Sequence, residues 1–69
     1  MKYVAYYFDS DKKVCSNKAL KPLIANLVSE MLSQGGTKIS ILHEKRSDDY
    51  YILGGAPTVE SYVIRQEVG

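Results

Sequence analysis

His43 and Cys15 are the residues best suited to chemistry, and each occurs once. An imidazole beside a thiol can form a nucleophile–base pair. No orienting group and no oxyanion motif accompanies these two, and a lone cysteine usually behaves as a small hydrophobe. One histidine and one cysteine also fall short of the four ligands of a structural zinc site. Asp9-Ser10-Asp11 opens like a calcium loop, but Lys12-Lys13 follows, and the glycine and bidentate glutamate are missing. Asp48-Asp49 reads as turn chemistry, with side chains that bond their own backbone. Gly35-Gly36-Thr37-Lys38 lacks the spacing of a phosphate-binding loop and follows a helical pattern instead of preceding one. Gly54-Gly55 leads into Pro57 and reads as a bend. The residues therefore point to no catalysis, no cofactor and no metal.

Tyrosine is the feature left over. Six of the seven aromatic residues are Tyr3, Tyr6, Tyr7, Tyr50, Tyr51 and Tyr62; the seventh is Phe8. Neighbours in a strand point to opposite faces. Tyr6-Tyr7 and Tyr50-Tyr51 thus each send one ring towards a helix-covered face and one to an open face. Cross-strand pairing alone accounts for many such rings. Tyrosine is also enriched at interfaces, because it is amphipathic and loses little entropy on binding. Tyr6, Tyr7, Tyr50, Tyr51 and Tyr62 are accordingly the candidate contacts for a protein partner, a second copy of the chain included. The alternative partner is single-stranded nucleic acid, with bases stacked on rings and Lys12, Lys13, Lys18 and Lys21 along the backbone.

These residues need elements to hold them. Residues 2–8 alternate as a strand that is apolar on both faces, as a strand central in a sheet would be. Residues 9–21 are a polar connection in which Val14 and Cys15 add a short extended piece. Ser16 and Asn17 are suitable helix caps. Pro22 sets the helix start: either a separate turn precedes it or the first turn is distorted. Leu23, Ile24, Leu27, Val28, Met31 and Leu32 then form one broad apolar stripe. Gly35-Gly36 ends a helix of residues 22–34, roughly 20 Å long. Its outer face, Asn26, Ser29, Glu30 and Ser33, holds a single charge. Residues 37–53 read as a β-hairpin, with Ile39 and Ile41 on a buried face and His43 at its end. Residues 58–68 fit two patterns. As a helix, Thr58 caps and Gly69 stops; as a strand, Tyr62, Ile64 and Val68 alternate, and composition leans to strand. The fold class is α+β: one amphipathic helix packed on a small, mainly antiparallel sheet, in the order β-α-β-β followed by a fourth element.

The totals narrow the function classes. Sixty-nine residues, 45% hydrophobic and 25% charged, describe one compact globular domain, residues 1–69. Such a domain buries only about 60% of its unfolded surface, so association would add stability. The net charge of +1 disfavours a dedicated nucleic-acid binder. It conceals an asymmetry: residues 1–21 carry five lysines against two aspartates, and residues 22–69 carry four basic against six acidic groups. A single cysteine, no signal-peptide pattern, no lipidation motif and no long apolar run suit a cytoplasmic protein without a membrane segment. Together these features describe a small, non-catalytic, cytosolic protein-interaction module acting through a tyrosine-rich sheet face. By analogy of size and composition, it would be a phage- or mobile-element-encoded inhibitor or modulator of a host protein. A weak single-stranded nucleic-acid binder and a purely structural homodimer are the alternatives.

Overall fold

The computed structural model describes residues 1–36, 38–55 and 60–68. Its elements in chain order are β1 (Lys2–Tyr7), β2 (Lys13–Asn17), α1 (Leu20–Ser33), β3 (Ile39–Glu44), β4 (Asp49–Gly54) and β5 (Tyr62–Glu67). The strands form one sheet in the order β2-β1-β5-β4-β3, and every neighbouring pair is antiparallel. The α+β class and the single helix across the sheet are as the sequence indicates. The ambiguous last segment is a strand, and it lies at the centre of the sheet. Its partners decide it: Tyr62, Val63 and Ile64 pair with Tyr7, Tyr6 and Ala5 on one side, and with Ile52, Tyr51 and Tyr50 on the other. The cap at Thr58 and the stop at Gly69 of the helical alternative lie outside the described residues, as do Thr37 and the bend at Ala56-Pro57.

The short extended piece at Val14 and Cys15 grows into a full edge strand, β2. Its register against β1 slips between Ala5 and Tyr6, because Val14 is an extra residue there. Such a bulge re-aims side chains, and here both Val14 and Cys15 pack against the core. Two turns of the same construction close the hairpins. Phe8-Asp9-Ser10-Asp11 joins β1 to β2, and Lys45-Arg46-Ser47-Asp48 joins β3 to β4. Each ends on an aspartate in the left-handed region, Asp11 at φ 58° and Asp48 at φ 59°. Aspartate tolerates that conformation better than most residues.

The helix starts two residues before Pro22. Prolines cost little in a first turn, where the backbone N–H has no intrahelical partner. Neither Ser16 nor Asn17 is the cap residue; Ala19 is, and Asn17 instead accepts a hydrogen bond from the Ala19 amide at 2.9 Å. At the other end Gly35 adopts φ 87°, the Gly36 amide donates to Met31 at 2.9 Å, and the Gly35 amide donates to Leu32 at 3.0 Å. This pair of bonds satisfies carbonyls that the helix would otherwise leave open.

The core lies between α1 and one face of the sheet. Leu23, Leu27 and Met31 descend onto Ala5, Ile52, Tyr62 and Ile64, and all seven are buried. The apolar stripe is narrower than its sequence pattern. Ile24 and Val28 are half-buried, and Leu32 is 57% exposed. The expected buried face of β3 is divided: Ile39 is half-buried against the core, and Ile41 is 50% exposed. Both departures follow from the place of the helix. It lies mainly over β2, β1 and β4, and of β3 only Ile39 packs against the core.

Candidate functional site

The face of the sheet turned away from α1 is the candidate site. Register fixes its members, since directly opposed residues share a face. Lys13 pairs with Tyr6, Tyr6 with Val63, Val63 with Tyr51, and Tyr51 with Leu42. One row of open-face side chains therefore crosses all five strands. Val63 and its diagonal neighbour Val4 form the floor and are almost fully buried, although no helix covers them. The rings and aliphatic chains around them do the covering. Phe8 meets Tyr51 edge to face, with centroids 6.0 Å apart and planes at 71°. Leu53 and Leu42 continue the band towards β3. Phe8 is 49% and Leu42 53% exposed, so the band reaches solvent.

Charged groups frame this band and are bonded to one another. The Arg65 guanidinium lies over the Tyr6 ring, 5.4 Å from its centroid, a distance at which ring and cation attract. It also reaches Asp11 at 3.7 Å and Asp49 at 3.9 Å. The Tyr6 hydroxyl donates to the Glu67 carboxylate. That hydrogen bond, followed by desolvation and the Glu67 charge, raises the Tyr6 pKa above the usual phenol value. The result is an apolar centre with paired charged groups at its rim.

The structure divides the five candidate tyrosines. Tyr6 and Tyr51 lie on the open face. Tyr7, Tyr50 and Tyr62 lie on the helix side, where Tyr62 is 1% exposed and packs against Tyr7, with centroids 5.6 Å apart and planes tilted by 31°. Tyr62 is thus a core residue and offers no surface to a partner. Tyr50 is half-buried and stacked on His43 at 4.2 Å. Residue parity predicts the division of the two Tyr-Tyr pairs. Parity also carries the signal for Leu53, which shares β4 with Tyr51; Leu42 and Arg65 join Tyr51 and Tyr6 only through the strand register.

The four candidate lysines do not form one surface. Lys13 faces the open side beside Tyr6, and Lys21 sits on the helix, on the opposite side of the molecule. Lys12 and Lys18 lie beyond opposite ends of β2, roughly 20 Å apart at strand spacing. A backbone-tracking groove needs its cations in line, and these four are divided between two faces and the two ends of β2.

Cys15 and His43 occupy the two outer strands of the sheet. Four strand spacings separate them, roughly 19 Å, so the nucleophile–base pair does not exist. His43 is bonded to Asp48 at 2.6 Å instead. Cys15 lines a cleft between β2 and the helix flank that bears Asn26 and Glu30, and burial raises its thiol pKa. A nucleophilic cysteine needs the opposite shift. Among the described residues, no three His, Cys, Asp or Glu side chains gather as a metal site requires, and no helix is long and apolar enough to cross a membrane. In comparison with known proteins, the chain matches no family, no curated sequence and no solved structure.

Proposed function

We propose that this protein is a non-catalytic protein-binding module and that the open sheet face is its contact surface. The observation that carries this reading is the band of Phe8, Tyr6, Tyr51, Leu53 and Leu42 over the Val4–Val63 floor. It is an aromatic and aliphatic patch that no helix or strand among the described residues covers. Aromatic residues set in an apolar centre are the usual anchors of protein interfaces. The rim of Arg65, Asp11, Asp49 and Glu67 adds orientation, because rim charges contribute to specificity more than to affinity. Blocking or redirecting a bound protein is the role that we assign to such a patch on a chain of 69 residues.

Capture from a native lysate tests the reading when wild type is compared with variants on both sides of the molecule. A stoichiometric protein partner should bind wild type and Lys21→Glu, and be lost with Phe8→Asp or Tyr51→Asp. Circular dichroism would establish that the variants are folded. Retention of the partner by both open-face variants would overturn the assignment, as would the absence of any stoichiometric partner. A second reading, single-stranded nucleic acid, keeps only Lys13 beside Tyr6 in its favour. It requires salt-dependent oligonucleotide binding that Lys13→Glu removes.

A further inference from the structure

The two edges of the sheet are built differently. At β2 the register slip beside Val14, Lys13 within the strand and Lys18 just after it blunt the edge, as bulges and lysines do in proteins that avoid edge pairing. At β3 there is no slip, and its lysines, Lys38 and Lys45, lie only beyond its ends. Ile39–Glu44 runs for six residues, pairs with β4 without a slip, and contains neither lysine nor proline. Ile41 and Leu42 are about half exposed, one on each face of the sheet. The alternation of backbone bonds is fixed by the Gly55 amide, which donates to the Lys38 carbonyl at 2.8 Å. In that phase Ser40, Leu42 and Glu44 bond to β4. The N–H and C=O groups of Ile39, Ile41 and His43 point outward without a strand to receive them.

We infer that a second copy of this chain pairs along β3, antiparallel and centred on Ile41, to give a continuous ten-stranded sheet. The surface is separate from the open-face patch and does not rest on the function proposed above. A twofold axis normal to the sheet places Ile41 opposite its own copy and Ile39 opposite His43, so the outward backbone groups meet in bonded pairs. The same register sets Lys38 opposite Glu44 at both ends of the seam, and both residues are exposed. Shifting the centre to Leu42 would set Lys38 against Arg46 and Ile39 against Lys45. Shifting it to Ser40 would leave Lys38 against Leu42. Charge complementarity thus selects Ile41.

The helix supports this arrangement. Asn26 and Glu30 flank it on the β2 side, where they line the Cys15 cleft. Ile24, Val28 and Leu32 therefore occupy the flank towards β4 and β3. The twofold axis keeps both helices on the same side of the joined sheet. Their two apolar flanks then border a single trough floored by Ile39, Ile41 and their copies. The otherwise unexplained exposure of Leu32 and Ile41 belongs to one surface.

The seam is short, below the roughly 1,200 Å² of a standard interface, so the dimer is weak. Sedimentation equilibrium should show reversible dimerisation with a dissociation constant on the order of 100 μM. Lys38→Glu and Glu44→Lys should each weaken it about tenfold, and the double variant should restore it, since only the doubly exchanged chain again opposes unlike charges. On dilution, the amides of Ile39, Ile41 and His43 should lose hydrogen-exchange protection, while those of Ser40, Leu42 and Glu44 keep theirs. A monomer at about 1 mM would overturn the inference. So would a dimer that neither single variant weakens, or one that the double variant fails to restore, because its seam would lie elsewhere.

Discussion

Asp48 combines two roles at one residue. Its backbone takes the left-handed turn that closes the β3–β4 hairpin, and its carboxylate holds the His43 ring stacked on Tyr50. Asp48→Ala should cost about 1–2 kcal/mol in thermal or denaturant unfolding, most of it from the left-handed backbone. Asp48→Gly should recover that part and lose only the contact with His43. Cys15 supports a different prediction. Its raised pKa means that the folded state holds the thiol proton more tightly than the unfolded chain does. The resulting stability is complete below the unfolded thiol's pKa, about 8.5, and is lost as pH rises through the higher folded value. Tyr62, raised chiefly by burial, acts in the same direction further into the alkaline range. Unfolding midpoints measured against pH should therefore fall from about pH 9 upward, and Cys15→Ser should remove the first part of that fall. Alkylation of Cys15 at neutral pH should be slower in the folded protein than after denaturation.

At the scale of elements, α1 separates residues that its sequence pattern groups together. Leu27 is buried, and Leu27→Ala should cost about 2–5 kcal/mol in denaturant unfolding. Leu32 belongs to the same stripe on paper, yet Leu32→Lys should stay within about 0.5 kcal/mol, as surface changes do. Gly35 has open space where a Cβ would sit, so Gly35→Ala isolates the conformational cost of φ 87°, about 1 kcal/mol. Periodicity made the helix, β1 and the β3–β4 hairpin legible. It split each of the pairs Tyr6-Tyr7 and Tyr50-Tyr51 between the two faces, while the strand register decides that Tyr6 and Tyr51 share the open one. It could not give the limit of the helix's cover, since that depends on where α1 lies across the sheet. β2 was only partly legible because Lys13, Ser16 and Asn17 are poor strand formers. The strand is held by its pairing with β1. For β5, local preference was balanced between helix and strand, and two neighbouring strands decide it.

The whole molecule depends on β5. It supplies Tyr62 and Ile64 to the core, Val63 to the floor of the open face, and Arg65 and Glu67 to its rim. Ile64→Ala should cost about 2–5 kcal/mol, a large share of the stability of so small a domain. It should lower the unfolding midpoint more than any single change on β2 or β3. The candidate site was legible in part at this scale. Tyrosine content directed attention to the sheet, but Arg65 and Leu42 join the patch only through pairings between strands distant in sequence.

The place of β5 also has a bearing on synthesis. The β1–β2 hairpin, the helix and the β3–β4 hairpin are all local in sequence, and each can form as soon as its own residues leave the ribosome. The two hairpins do not meet in the sheet until residues 62–67 arrive between them. A nascent chain that pauses before that point carries two hairpins with their inner edges unpaired, a state open to misassembly. Speed through the codons for residues 62–67, or a chaperone on those two edges, then governs the yield of native protein.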